Sequence, residues 1–303
     1  MMQLDRLALK APAKINLYLK VTGRRADGYH TLDTLMQKVS LCDDLELRLC
    51  ERGIHLCCPG SEGLESRDNL VYRAAELFLQ TVGLQRAGAT HGVEISLQKN
   101  IPVAAGLGGG SSDAAATIKG LDALLGCGCS SEELAAMGLR LGADVPFFLA
   151  DTSAAIAKGI GEILTPVDSL AGYNILLVNP GFPVSTQWVY QTFALTKKEN
   201  ASNLQDFQQE VNGCSLPNEF VEGKAQLRAM HNDLEAVTAS RYPEIGKLKN
   251  VMAASGAAAT LMSGSGPTVF GLFVDRQSAE ICRAFFKRRF EHTYLVSPLS
   301  GGE

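Results

Sequence analysis

The residues best suited to chemistry form one glycine-rich stretch, Gly106-Leu107-Gly108-Gly109-Gly110-Ser111-Ser112-Asp113, entered through Pro102-Val103-Ala104-Ala105. Glycines let a backbone approach an anion closely, and the free N–H groups at a helix start donate to it. Ser111 and Ser112 add hydroxyls that can reach a phosphate or a phosphate-bound magnesium. Asp113 is at odds with a phosphate, although its charge suits a helix N-terminus; it is expected either to point away or to contact magnesium. Known phosphate motifs do not fit. A P-loop needs a lysine before its serine, which Gly109-Gly110-Ser111 lacks. In the dinucleotide fingerprint a third glycine stands where this chain has Ser111, and protein-kinase signatures are missing. Taken alone, the stretch reads equally as a phosphate cradle or a tight connection.

Two more residues invite a chemical reading. Lys14 shares a strand face with Asn16 and Tyr18, both able to hydrogen-bond a ligand, but a lysine on a polar face ordinarily points to solvent. Asp144 stands alone among apolar residues between Leu141 and Ala150. It can cap a helix entered through Val145-Pro146. In apolar company its pKa would also rise, which suits a general base. The eight cysteines, at 42, 50, 57, 58, 127, 129, 214 and 282, form no C-x-x-C pair, and five histidines are scattered. Reduced thiols, not a zinc site, are expected.

These residues need elements to position them. Leu9 to Val21 alternates as a half-buried strand, with Ala11, Ala13, Ile15, Leu17, Leu19 and Val21 on the apolar face. A turn at Gly23–Gly28 precedes a second strand, Leu41–Leu49. Asp68 or Asn69 can cap a helix over 70–82. A strand at 93–97 leads to the glycine stretch and a helix over 114–125, and Ser130-x-x-Glu133 marks the next helix. A hairpin is expected around Gly159-Ile160-Gly161, and residues 167–172 are a plausible crossing between domains. Residues 197–225 are weakly patterned, so an irregular segment is expected there. The last third adds a strand at 174–178, helices at 233–240 and 245–255, strands at 258–262 and 268–274, a helix at 278–288 and a strand at 293–296. That order approximates the β-α-β-β-α-β ferredoxin-like pattern.

A chain of 303 residues has room for two domains. Its 46% hydrophobic and 20% charged residues suit a globular enzyme. A net charge of -4 offers nucleic acid or an anionic membrane no broad attraction, so an anionic ligand needs a local site. Neither a signal-like apolar core nor a span of membrane length occurs. A cytoplasmic protein acting on a small molecule is expected, with no obligate protein partner.

Three stretches together resemble, in order, the motifs of the GHMP kinase superfamily: Pro12-Ala13-Lys14-Ile15-Asn16-Leu17, Pro102 to Ser112, and Leu261-Met262-Ser263-Gly264-Ser265-Gly266-Pro267-Thr268. The resemblance implies an α+β protein of two domains, ribosomal-protein-S5-like over 1–167 and ferredoxin-like over 172–303. It implies ATP held by Pro102, Val103, Ala104, Ala105, Gly106, Leu107, Gly108, Gly109, Gly110, Ser111 and Ser112, with Mg2+ accompanying the nucleotide. Lys14 and Asp144 would be catalytic. Further words look like one branch of the superfamily: Gly23 to Leu32, Leu141 to Phe148, Gly159-Ile160-Gly161-Glu162 and Asn232-Asp233-Leu234-Glu235. That branch implies a cytidine diphosphate ester of methylerythritol as acceptor, phosphorylated on its 2-hydroxyl in the non-mevalonate route to isoprenoids. Tyr29 and His30 would then read the cytosine, Tyr190 would supply a second aromatic, and Asn16 and Thr186 would contact the ligand. Without the resemblance, Tyr29 and His30 are an aromatic pair flanking a turn. A homoserine or mevalonate type of kinase and a non-catalytic family member are the alternatives; Gly28-Tyr29-His30 argues against the first, and intact Lys14 and Asp144 against the second.

Overall fold

Two long strands, β1 (Arg6–Arg24) and β2 (His30–Cys50), each contribute to both of the compact units into which the chain gathers. The computed structural model describes residues 5–83, 86, 92–200 and 230–300. One unit comprises Met1–Ala13, Leu41–Val103 and Gly108–Thr152; the other comprises Lys14–Ser40, Ala104–Leu107 and Ser153–Glu303.

In the first unit the end of β2 pairs antiparallel with β4 (Gly92–Gln98), from Asp44↔Gln98 to Cys50↔Gly92. β3 (Ile54–Cys57) adds to β4 in parallel. Leu45, Leu47, Ile95 and Leu97 point into a core closed by Phe78 of α1 (Leu70–Phe78) and by Ile118 and Leu121 of α2 (Gly109–Leu125). The Asn69 side chain caps α1 by accepting the Val71 N–H. This helix stops short of the expected residue 82: a wider turn occupies 79–83, where the Thr81 hydroxyl donates to the Leu77 carbonyl. The capping box at Ser130 and Glu133 is present and starts α3 (Ser131–Leu139). α4 (Val145–Leu149) follows, buried throughout.

Beneath the start of α2 lies a buried charge cluster. The Lys99 ammonium bonds Asp43 and, at 2.7 Å, Asp113. Asp43 Oδ1 also accepts the N–H groups of Asn100 (2.6 Å) and Ile101 (2.8 Å). Residues 99–101, just before the glycine stretch, are thereby tied to Asp113, just after it.

In the second unit the start of β2 pairs antiparallel with β5 (Ala154–Gly159), which continues into β6 (Ile163–Pro166) as the expected hairpin. β7 (Asn174–Val178) precedes α5 (Thr186–Asn200). The expected irregular segment at 197–225 differs at its start, because 197–200 close α5; from 201 it lies outside the described residues. β8 (His231–Asn232) lies parallel to β1 through Tyr18↔His231 and Leu19↔Asn232. Next come α6 (Glu235–Arg241), α7 (Glu244–Ala254), β9 (Ala259–Met262), β10 (Val269–Phe273), α8 (Arg276–Lys287) and β11 (Thr293–Val296). The antiparallel order β11-β7-β10-β9 is the ferredoxin-like arrangement. Its core joins Leu176, Val178, Met252, Val269, Phe273 and Phe286. Among the described residues no helix is long and apolar enough to cross a membrane.

Three expectations are corrected. β1 is not half-buried: Lys14, Asn16 and Tyr18, on its polar face, are buried as well. β2 begins at His30 rather than Leu41, because buried neighbours such as Leu35 and Met36 break the alternation that marks a strand. α2 begins at Gly109 rather than Ala114, so Gly109 and Gly110 form part of its first turn despite poor helix propensity.

Burial pushes the Asp113 carboxyl up from 3.8 to about 7, with Lys99 pulling against this and Asp43 adding to it. The folded chain therefore holds a proton that the unfolded chain has released. The contribution of Asp113 to stability falls as pH rises across that window. Lys99→Met strands two buried carboxylates and is expected to cost about 3–5 kcal/mol. Urea unfolding checks this, and the deficit should be larger at about pH 8 than at about pH 5.5, where Asp113 takes up its proton.

Candidate active site

Within the second unit, residues far apart in sequence are tied together around Ser263. The Lys14 N–H donates to the Leu107 carbonyl at 2.9 Å. The Asn16 N–H donates to Ser263 Oγ at 3.3 Å, and that hydroxyl donates to the Gly106 carbonyl at 2.9 Å. The Thr268 N–H reaches the Ala105 carbonyl at 3.4 Å. Segments 14–16, 104–107 and 263–268 thus share one hydrogen-bonded junction. Gly106 has a φ of +76°, and a Cβ there would lie 2.2 Å from the Ser263 carbonyl oxygen. Only glycine fits both the conformation and the space. Lys14 is 5% exposed, and its Nζ donates to Asn16 Oδ1 at 2.5 Å. Asn16 Nδ2 donates in turn to Thr34 Oγ1 at 2.9 Å, which fixes the amide's orientation.

Tyr29, His30, Thr186 and Tyr190 lie in the same unit. A tight turn, in which the Arg25 N–H reaches the Tyr29 carbonyl at 2.7 Å, leaves the Tyr29 ring 60% exposed. His30, the first residue of β2, stacks on Tyr190 of α5, with centroids 5.1 Å apart and planes at 22°. Its Nε2 is buried with no hydrogen-bond partner, and burial, then the Arg24 charge, lowers its pKa. The Thr186 and Ser265 hydroxyls are 2.8 Å apart, so the start of α5 touches the 263–268 turn.

In the first unit, Gly108 stands just before α2 at its N-cap position, with a φ of +70° and no side chain to cap it. The first-turn N–H groups of α2 are left to another acceptor, and the positive end of the helix favours an anion. Ser112 Oγ is buried without a partner. Asp113 points away from this end into the Lys99 and Asp43 cluster, the first of its two expected placements. Asp144 stands before α4 in a helical conformation (φ -80°, ψ -16°) and its side chain makes no cap hydrogen bond, so its capping reading is not met.

Several residues that hold these segments in each unit escaped sequence reasoning. Asn232 holds the 262–264 turn by two bonds, to the carbonyls of Met262 and Gly264, both at 2.8 Å. Glu235 Oε2 accepts the Met262 N–H at 2.8 Å. Thr34, Lys99 and Thr238, whose hydroxyl donates to the Ser265 carbonyl, have no local signal at all. For Asn232 and Glu235 the word Asn232-Asp233-Leu234-Glu235 marked the place without showing the task.

The chain matches the model described as the GHMP kinases N terminal domain over residues 69–152, and the GHMP kinases C terminal model over 221–292. It is 46% identical over 275 residues to the 4-diphosphocytidyl-2-C-methyl-D-erythritol kinase of Geobacter metallireducens, covering 90% of this chain and 91% of the relative. The enzyme of the same name from Desulfotalea psychrophila is 47% identical, covering 96% and 95%. A crystal structure of 4-(cytidine 5'-diphospho)-2C-methyl-D-erythritol kinase superposes with a TM-score of 0.76 at 36% identity, covering 98% of this chain and all of that one. Homoserine kinase from Cytophaga hutchinsonii, at 18% identity and a TM-score of 0.70 over 99% and 98% of the two chains, shares the fold alone. The chain belongs to the 4-diphosphocytidyl-2-C-methyl-D-erythritol kinases, a family of GHMP kinases with the α+β fold of that superfamily.

Gly106→Ala tests the junction at Ser263. A left-handed non-glycine residue costs about 1–2 kcal/mol, and forced overlap adds about 1–3 kcal/mol. The urea midpoint should fall accordingly. An unchanged midpoint would contradict the close approach to Ser263.

Proposed function

We infer that this chain is an ATP-dependent kinase that phosphorylates the 2-hydroxyl of 4-diphosphocytidyl-2-C-methyl-D-erythritol, a step of the non-mevalonate route to isoprenoids. The observation that carries this reading is the junction of 14–16, 104–107 and 263–268 in a chain 46% identical, over 90% of its length, to a kinase of that acceptor.

The ATP phosphates fall to the loop at 102–112. Its fit rests on the uncapped first turn of α2, the positive φ of Ala104, Gly106 and Gly108, and the unpartnered hydroxyl of Ser112. Mg2+ accompanies the nucleotide and neutralises phosphate charge; Ser111 and Ser112 are the hydroxyls able to face it. Asp144 is the base toward the acceptor hydroxyl. Lys14, buried and oriented by Asn16, steadies the charge that develops on the transferred group. Tyr29 and His30 take the cytosine, with Tyr190 as the second aromatic and Asn16 and Thr186 as further ligand contacts. The nucleotide role belongs to residues 1–167 and the ferredoxin-like role to 172–303, in a cytoplasmic protein that needs no nucleic acid, membrane or obligate partner.

Offered ATP with the cytidine ester, mevalonate, homoserine or galactose, the protein should release ADP with the ester and not with the others. Release with another acceptor alone would overturn the reading. Asp144→Asn should lower kcat by ~10²-fold or more, as for a lost general base, with ATP affinity nearly intact. Wild-type turnover in that variant would remove Asp144 from the chemistry.

The base pocket has its own test. Tyr29 is too exposed to hold the fold together, so Tyr29→Ala should leave stability unchanged. It should forfeit ~1–3 kcal/mol of stacking, roughly a 5- to 150-fold loss in kcat/KM for the cytidine ester. His30→Ala should instead narrow the preference for cytosine over uracil esters. Wild-type constants in both folded variants would place the base elsewhere.

A further inference from the structure

We propose that Asn232 is a positioning residue for phosphoryl transfer, setting the 262–266 turn so that Ser263 holds the Gly106 end of the ATP loop. This rests on the kinase reading above. Asn232 is 5% exposed and uses its whole amide. Nδ2 donates to the carbonyls of Met262 and Gly264, at 2.8 Å each, and Oδ1 accepts the Leu234 N–H at 2.9 Å. Those two carbonyls flank Ser263, whose hydroxyl reaches Gly106 and receives the Asn16 N–H. The backbone of Asn232 is itself fixed by its parallel bridge to Leu19 of β1. Two supports nearby act on the same turn: Glu235 accepts the Met262 N–H, and Thr238 Oγ1 donates to the Ser265 carbonyl at 3.1 Å. Only a primary amide supplies two donors and one acceptor in a single plane from a side chain this short.

That requirement gives a pH signature. An ionised aspartate at 232 would face two carbonyl oxygens with no hydrogen to donate, whereas a protonated one would restore one of the two bonds. The charged neighbours are His231, whose Nε2 is 2.7 Å from Asp233 Oδ1, Glu235, which is paired with Lys249, and Lys20, whose charge reaches His231. All are common to wild type and variant, so the ratio of the two at each pH isolates position 232.

The experiment compares Asn232→Asp with wild type in kcat, in the KM for ATP and for the cytidine ester, and in binding of a non-hydrolysable ATP analogue by calorimetry. The range is about pH 5.5 to 8.5, spanning a raised carboxyl pKa. At the alkaline end, ATP-analogue affinity and kcat should fall about 10- to 100-fold, the scale of buried carbonyls left unpaired, with the ester's KM little changed. The deficit should shrink as pH falls. Ser263→Ala should weaken ATP at every pH alike. If Asn232→Asp does not fold, Asn232→Ala decides: weaker ATP with unchanged ester binding upholds the proposal, and equal loss of both ligands, or of neither, overturns it. A deficit in Asn232→Asp that does not vary with pH overturns it too. A wild type inactive on the ester would sink the kinase reading, while the ATP-analogue titration would still judge Asn232.

Discussion

Everything around Ser263 depends on one close approach: the Gly106 Cα lies so near the Ser263 carbonyl that no side chain can stand between them. The approach lets a serine hydroxyl bridge two backbone segments, accepting from Asn16 and donating to Gly106. Asn16 and, beside it, Lys14 are buried. A buried lysine has lost water, so its orientation is set by the protein rather than by solvent. Here Asn16 supplies that orientation and is itself held by Thr34. The chemistry expected of a lysine on a strand becomes a matter of backbone packing one and two hundred residues away.

The glycine-rich start of α2 follows a different rule, the separation of charge. A carboxylate one turn into α2 would oppose a bound phosphate if it faced the same way. Asp113 is instead drawn into a buried cluster with Lys99 and Asp43. The helix start keeps its uncapped N–H groups, and the charge that would repel an anion is used to hold the two ends of the loop. Such a cluster stabilises only while it is complete, because any member left alone is a buried charge without compensation.

What could be read from the sequence divides along the same lines. Periodicity gave the strands at 93–97, 174–178 and 293–296, and cap chemistry gave Asn69 and the Ser130–Glu133 box, because these signals are local. The three motifs named the family. Local signals failed where tertiary contacts overrule them: glycines that start α2, the continuous burial that hides the first half of β2, and the turn at 263–268 that covers the polar face of β1. Asn232 is the sharpest example. Its word Asn232-Asp233-Leu234-Glu235 is contiguous, but its two acceptors lie 30 and 32 residues further on, and no spacing rule connects them.

The bridge from Asn16 to Ser263 spans 247 residues, and this matters while the chain is being made. At about 5–20 residues per second, a ribosome needs about 12–50 s to deliver Ser263 after Asn16 has emerged. For that time the Asn16 N–H awaits the hydroxyl that it meets in the finished fold. The polar residues that the finished fold conceals then also shield its first strand: they keep the nascent segment wetted until the last third of the protein arrives to enclose it.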